Sequence, residues 1–131
     1  MEDNYKLEII SPEKIIFSEE VKMTMLPAHE GYMSILKKHI PLITFLRPGI
    51  IKVDKKDENS EEFFIEDGIV EFFNDTLVLL SSSIINKKDL TKSYVNDLNK
   101  KIENQLSEST ISDEDQYILN HKLQSLKEIN I

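Results

Sequence analysis

The sequence predicts an antiparallel β-sandwich or barrel followed by a hairpin of two helices. From Tyr5 to Ser81, short apolar runs lie between turn signals, with no helical segment between them, as in sandwiches and barrels. After Ile85, apolar residues recur at every third or fourth position, which is typical of amphipathic helices. We therefore divide the chain into a β-sandwich domain, residues 1–85, and a helical hairpin, residues 86–131.

The first two strands show the alternation of apolar and polar residues that a half-buried strand requires. Their apolar positions are Leu7, Ile9, Val21, Met23 and Met25. Pro27 and Gly31 bracket the turn that follows.

Five further strands are predicted at residues 42–46, 50–53, 62–65, 69–73 and 76–80. Arg47-Pro48-Gly49 separates the first two of these and fits a type II turn, because proline fixes φ and glycine tolerates a positive φ.

The second half of the chain carries two apolar stripes at helical spacing. They consist of Tyr94, Val95, Leu98, Ile102 and Leu106, then of Leu119, Leu123 and Leu126 with Ile118 and Ile129 beside them. Asn86 and Ser112 are the predicted N-caps of the two helices, and residues 107–112 form the loop between them. A hairpin of roughly 45 residues buries too little surface to stand alone, so we expect it to dock on the sandwich or on a partner.

Composition excludes several classes of protein. The 131 residues carry a formal net charge of −8 and a single arginine, Arg47, whereas a nucleic-acid or anionic-lipid binder needs a cationic surface. The chain has no cysteine, which excludes disulfides and thiolate metal sites. No apolar stretch approaches the ~18 residues of a membrane span. The acidic start, Met1-Glu2-Asp3-Asn4, is expected to be neither a signal peptide nor a transit peptide.

Catalytic motifs are not found. The only glycines, Gly31, Gly49 and Gly68, lie too far apart for a phosphate-binding loop. His29, His39 and His121 lack metal-ligand spacing, although the first two could meet across turns. The Ser81-Ser82-Ser83 run is interpreted as a loop rather than a nucleophile. We therefore predict no catalytic residue, metal or cofactor.

Residues 26–49 are more apolar than one face of a small sandwich can bury. Surplus apolar surface usually marks a partner interface, so we expect one here. The residues concerned are Tyr32, Met33, Ile35, Leu36, Ile40, Leu42, Ile43, Phe45 and Leu46.

The order of these segments resembles the epsilon subunit of bacterial F-type ATP synthase, the counterpart of the mitochondrial delta subunit. The matching segments are Leu7-Glu8-Ile9-Ile10-Ser11-Pro12-Glu13, Glu30-Gly31, His39-Ile40-Pro41-Leu42-Ile43-Thr44, Arg47-Pro48-Gly49-Ile50-Ile51, Asp67-Gly68-Ile69-Val70-Glu71-Phe72 and Thr76-Leu77-Val78-Leu79-Leu80.

This resemblance implies a non-catalytic rotor subunit with a β-sandwich of about ten strands and a C-terminal αα-hairpin. The sandwich would bind the gamma subunit of the central stalk and the polar loops of the c-ring, on the cytoplasmic face of the inner (plasma) membrane. In many bacterial members the hairpin can rise into the alpha/beta catalytic head and block ATP hydrolysis. The residues that the resemblance assigns to the c-ring and gamma interface are Glu30, Gly31, Tyr32, Met33, Lys38, His39, Pro41 and Leu42.

The sequence departs from this family at three places. A second glycine is missing after Gly31, and Lys37-Lys38 stands where members have Pro-Gly. ATP-binding members begin the first helix with Ile-Asp-x-x-Arg-Ala, whereas this chain has Asn86 for the aspartate and Asp89 for the arginine.

Two other classes of function stay open at this point. One is a free-standing β-sandwich adaptor that self-associates through its hairpin. The other is a small-ligand sensor or sandwich enzyme, such as a cupin-like metal protein, although the sequence shows no cluster of histidines and glutamates on neighbouring strands.

Overall fold

A computed structural model describes residues 3–108 and 110–129, and within these the chain forms nine β-strands, a 3-10 turn and two α-helices. The strands are β1 (Tyr5–Ile10), β2 (Ile15–Ala28), β3 (Gly31–Leu36), β4 (Leu42–Leu46), β5 (Gly49–Lys55), β6 (Ser60–Ile65), β7 (Gly68–Phe73), β8 (Thr76–Leu80) and β9 (Ile84–Asn86). The 3-10 turn (Lys87–Asp89), α1 (Lys92–Leu106) and α2 (Asp113–Lys127) follow. Predictions that involve Met1, Glu2, Ser109, Asn130 and Ile131 lie outside the described residues.

The strands form a sandwich of two layers joined by the long strand β2. The front layer has the order β1-β8-β7-β4, and the back layer has the order β3-β2-β5-β6-β9. The first half of β2 pairs with β1, and its second half pairs with β3 and β5. Strands β1 and β8 are parallel, whereas the other pairings are antiparallel. The predicted fold class, a β-sandwich followed by two helices, is confirmed.

Two hydrophobic cores follow from the alternation of side chains along the strands. The main core lies between the layers and includes Tyr5, Leu7, Ile9, Phe63, Ile65, Phe72 and Leu79. Phe64 points to the opposite face of β6 from its neighbours and packs with the hairpin residues Leu90, Val95, Ile102 and Leu126. The two predicted helical stripes therefore pack against the back layer, except for Ile118, which is 41% exposed. The division of the chain into a sandwich domain, residues 1–85, and a helical hairpin that depends on it or on a partner, residues 86–131, stays a prediction.

A β-bulge corrects the predicted face of β2. Val21 pairs with Lys55 but Met23 pairs with Asp54, so Lys22 is an extra residue on β2. An extra residue exchanges the two faces of the strand beyond it. Thr24 and Leu26 are therefore buried, whereas Met23 and Met25 are half-buried on the outer face. The prediction that Met23 and Met25 share the core face of Val21 was wrong.

The predicted type II turn at Arg47-Pro48-Gly49 was also wrong. Gly49 is not among the positive-φ glycines and is the first residue of β5. Glycine is required here by a close approach, because a Cβ atom would lie 2.7 Å from Pro27 Cβ and 2.9 Å from Tyr32 Oη. The positive φ, +144°, occurs instead at Gly31, which begins β3 after the turn that was predicted there.

One of the two predicted helix caps is confirmed and the other is displaced. Ser112 Oγ accepts a hydrogen bond from the Asp115 N–H, 3.1 Å away, at the start of α2. Asn86 Oδ1 accepts from the Lys88 N–H and so caps the 3-10 turn rather than α1. Thr91 is the N-cap of α1, because its hydroxyl accepts from the Tyr94 N–H.

Candidate functional site

A row of apolar side chains crosses the outer face of the front layer. Register pairs join Ile15 to Ile10, Ile10 to Leu80, Leu80 to Ile69 and Ile69 to Phe45. Paired residues point to the same face, so these side chains form one continuous line, which we call the apolar row. Four inter-strand spacings make it about 19 Å long. Ile15, Leu80 and Phe45 are 60%, 46% and 68% exposed.

A trough of about 710 Å³ lies along this row. Four of the row residues line it, and its rim is formed by polar and small residues: Ser11, Pro12, Asp67, Gly68, Ser81 and Ser82. An apolar floor with a polar rim is the usual composition of a protein–protein interface. A single chain gains nothing by exposing such a surface, so the trough is the strongest candidate for a partner site.

The outer face of the back layer has the opposite character. There the hairpin covers Phe64 and Ile50 with residues of both helices. The Tyr94 hydroxyl also donates to Glu66 Oε2, 3.2 Å away, and so ties α1 to the sandwich. Burial, followed by the nearby Glu66 carboxylate, raises the pKa of Tyr94. Among the described residues, the hairpin thus covers one face of the sandwich, and the other face stays open.

The interface residues that the resemblance assigns fall into two groups. Glu30, Gly31, Tyr32, Met33 and Leu42 line a groove of about 600 Å³ between β3 and β4. This groove lies at an open edge of the sandwich, because β3 and β4 belong to different layers and each pairs with β2 near Ala28. Met33 and Leu42 also pack against the main core.

The remaining assigned residues, Lys38, His39 and Pro41, follow β3 at the other end of that strand. Lys38 has a positive φ of 66°, and its backbone N–H donates to Asp75 Oδ1, 2.9 Å away. The half-buried His39 ring lies edge-on to Phe72 with ring centroids 5.9 Å apart. The structure therefore does not join these three residues to the groove.

Arg47 links the groove to α2. Its guanidinium lies over the Tyr32 ring, 5.3 Å from the centroid. Nε donates to Ala28 O at 3.1 Å, and Nη1 donates to Ser125 Oγ at 2.8 Å. Ser125 is buried and donates in turn to His121 O. The Tyr32 hydroxyl accepts a hydrogen bond from the Ile50 N–H, so this side chain also holds β3 to β5. The side chain is nevertheless 47% exposed.

The histidines and serines that the structure describes do not form a catalytic arrangement. The His29 ring stacks on His121, with centroids 6.4 Å apart, and contacts no other histidine in the described pairs. Ser81 Oγ donates to Asp67 O, which matches the predicted loop role. Among the described residues, no group of three or more histidine, aspartate or glutamate side chains is placed to hold a metal ion.

Buried polar contacts between the layers hold the β-domain in register. The Tyr5 hydroxyl lies 2.7 Å from Thr24 Oγ1 and 2.8 Å from Ile35 O. Burial raises the pKa of Tyr5 to about 12, despite the opposing effect of the Thr24 hydrogen bond. These two contacts join β1 to β2 and to β3, and so position the strand that carries Tyr32.

Comparison with known proteins identifies this architecture. The family model described as ATP synthase, Delta/Epsilon chain, beta-sandwich domain matches residues 4–87, which is more than half of the chain. The chain belongs to the ATP synthase delta/epsilon family. The ATP synthase epsilon chain of Pelagibacter ubique is 43% identical to it over 131 residues, covering 99% of this chain and all of that one. That of Polynucleobacter necessarius is 34% identical over 98 residues, or 75% of this chain and 71% of its own length.

The chain is accordingly an epsilon subunit of ATP synthase and a non-catalytic part of that complex. Two solved structures share its fold. One is from a Euglena gracilis mitochondrial ATP synthase assembly of OSCP, F1 and c-ring. It superposes with a TM-score of 0.75 at 13% sequence identity, and the match covers 97% of this chain and 79% of the Euglena chain. The other is from a Tetrahymena thermophila central stalk and c-ring assembly; it has a TM-score of 0.61 at 12% identity and covers 94% and 93%. In the described part of the chain, neither helix is long and apolar enough to cross a membrane.

Sequence reasoning found part of the exposed surface and missed the rest. Phe45 and Ile43 lie in the apolar stretch that predicted an interface, and both are more than 60% exposed. Ile10, Ile15, Ile69 and Leu80 were missed because they come from four other strands. The sequence did contain a signal for them, because strands such as 76–80 are apolar on both faces. A strand of a sandwich that buries only one face needs apolar residues on that face alone.

Proposed function

We propose that this epsilon subunit is a rotor component of the central stalk, which binds the gamma subunit and couples c-ring rotation to the catalytic head of a proton-translocating F-type ATP synthase. The single observation that carries the proposal is the uncovered front layer, with its apolar row and trough. A subunit that must rotate with its partners needs a permanent interface, and permanent interfaces are apolar at their centre.

The arrangement of the hairpin argues against the alternative of a self-associating adaptor. Self-association through the hairpin requires apolar stripes that face solvent. In this chain the stripes of both helices pack on each other and around Phe64. Most of the exposed apolar side chains of the described residues belong to the sandwich, where a different protein can cover them.

Binding of purified gamma subunit to full-length surface variants tests this proposal. Phe45→Asp and Leu80→Asp each place a charge in the row without disturbing the core, because both side chains are exposed. We expect each to weaken gamma binding at least about tenfold, as for central interface residues. Leu36→Asp is the matched control, because Leu36 is 55% exposed on a different surface. Unchanged affinity for both row variants would contradict the proposal.

The groove between β3 and β4 is the proposed contact with the polar loops of the c-ring. Glu30 is exposed at the turn that precedes β3, and Tyr32 is 47% exposed. A partly exposed tyrosine suits a polar interface. On this account the subunit sits peripherally at the cytoplasmic face of the membrane. Glu30→Lys should lower ATP-driven proton pumping relative to ATP hydrolysis in membrane vesicles. Glu13→Lys, at the exposed β1–β2 turn, should leave that ratio unchanged.

We also propose that the hairpin is the regulatory part, able to leave the sandwich and contact the alpha/beta head. Its attachment supports this, because a small second core and the polar contacts of Arg47 and Tyr94 hold it. Elements with few buried contacts open first. A double-cysteine variant that locks α2 to the sandwich should abolish any inhibition of ATP hydrolysis by this subunit, and reduction should restore it. Inhibition that persists in the locked form would exclude the hairpin as its cause.

A further inference from the structure

The apolar surface of the front layer continues onto α2. A hollow of about 240 Å³ separates the sandwich from this helix, and its lining includes Phe45, Pro48, Asp67, Tyr117 and Ile118. Phe45 and Asp67 line the trough as well. Tyr117 is 61% exposed and Ile118 is 41% exposed. One surface therefore runs from the apolar row, across Phe45, to two exposed apolar side chains of the hairpin.

Contacts from the sandwich fix the position of α2 beside Phe45. The Arg47 guanidinium bonds to the buried Ser125, and the His29 ring stacks on His121. The Tyr117 ring in turn lies against His121, with centroids 5.1 Å apart. In the docked hairpin, Tyr117 therefore lies at a defined position next to the apolar row. Undocking of the hairpin removes this part of the surface.

We infer that the partner surface is composite, formed by the apolar row together with Tyr117 and Ile118 of the docked hairpin. This inference rests on the proposed function and commits to the same occupant, the gamma subunit that covers the row. A stable interface buries about 800 Å² on each partner, and a single row about 19 Å long supplies only part of that area. The neighbouring apolar side chains of α2 extend it across the hollow that Phe45 shares with Tyr117 and Ile118.

A composite surface links partner binding to the state of the hairpin. A ligand that contacts both parts binds the docked state more tightly than the undocked state, and therefore shifts the population toward docking. Bound gamma subunit would thus favour the docked hairpin, and undocking of the hairpin would lower the affinity of this chain for gamma by the same factor.

The test measures gamma binding to full-length variants together with hydrogen exchange of α2. Tyr117→Ala and Ile118→Asn remove exposed side chains, and Asn120→Ala, an exposed polar position of the same helix, is the control. We expect Tyr117→Ala to weaken binding about tenfold, because tyrosine is among the side chains that contribute most to interfaces, and Asn120→Ala to change it less than twofold. Bound gamma should slow exchange of the α2 amides at least tenfold. Melting and circular dichroism of each free variant show whether its fold is intact.

The outcomes separate this inference from the function on which it rests. If Phe45→Asp loses gamma while Tyr117→Ala and Ile118→Asn bind within twofold of the parent chain, the surface is not composite and the inference is overturned, but the rotor proposal stands. Exchange in α2 that is unchanged or faster with gamma bound overturns it too. If Phe45→Asp binds normally, the row is not the gamma site, and both proposals fall.

Discussion

Replacing Arg47 with methionine should release the hairpin while leaving the sandwich folded. Methionine retains an unbranched apolar stem of similar length but removes the guanidinium. The variant therefore loses the bonds from Nε to Ala28 O and from Nη1 to Ser125 Oγ, together with the contact over Tyr32. Of these, the bond to Ser125 is the one that reaches α2.

The structure sets the size of the expected effect. A hydrogen bond to a charged group contributes about 1.5–3 kcal/mol when its partner is buried, and Ser125 is 3% exposed. Loss of about 2 kcal/mol changes the equilibrium between docked and undocked hairpin roughly 30-fold. Ser125→Ala should have an effect of similar size, because it removes the same bond between Arg47 and α2. The double variant should exceed Arg47→Met by little, since both changes remove one shared bond.

Native-state hydrogen exchange resolved by peptide is the suitable assay, because it reports the opening of α2 and of the strands separately. Exchange in α2 should accelerate about 30-fold, while peptides of β1, β7 and β8 keep their protection. Lys122→Met removes a charge from the same hollow and serves as the control. Equal acceleration in the strands would show that Arg47 supports the sandwich itself. Unchanged exchange in α2 would refute the claim that the bond from Arg47 to Ser125 holds the hairpin on the sandwich.

Three further predictions concern the core, one glycine and nucleotide binding. Tyr5→Phe should lower the free energy of unfolding by about 1 kcal/mol at neutral pH. The pKa of Tyr5 is about 12 in the folded protein and ~10 in the unfolded chain. The contribution of the neutral hydroxyl to the free energy of unfolding is therefore complete below pH ~10 and is lost toward pH 12. Denaturation measured across that range should show a decline in the free energy of unfolding that Tyr5→Phe lacks. Gly49→Ala should cost about 1–3 kcal/mol through the contact with Pro27, and an unchanged melting temperature would contradict this. Calorimetric titration should show no Mg-ATP binding with a dissociation constant below about 100 µM. Asp89 stands at the arginine position of the ATP-binding motif, and Lys87 is paired with Glu62. Saturable binding with a lower dissociation constant would refute this prediction.

Local patterns predicted most of the elements, because alternation and helical spacing depend on neighbouring residues. Strand β8 was predicted with its observed bounds, and Ser112 caps α2 as expected. The errors arise where a distant contact overrides the local signal. The bulge at Lys22 depends on pairing with β5 and reverses the faces of Met23 and Thr24. Asn86 has the side chain of an N-cap, but β9 extends through it and delays α1 to Lys92.

The candidate surface was harder to predict than the fold. Ile15, Ile10, Leu80 and Ile69 become neighbours of Phe45 only through strand pairing, and nothing in their separate segments predicts that pairing. Phe63, Phe64 and Ile65 are likewise similar in sequence, yet Phe64 belongs to the core beneath the hairpin and the other two to the main core. Which side of an apolar strand stays open is decided by where the helices dock.

Affinity purification of the tagged chain from native membranes tests the central claim most directly. Quantitative mass spectrometry of the purified material should recover gamma and c subunits in fixed proportion to this chain. The tagged Phe45→Asp variant should lose gamma while remaining folded. Recovery of the chain mainly with copies of itself, or with gamma bound equally well by Phe45→Asp, would contradict a central-stalk role exercised through the front layer.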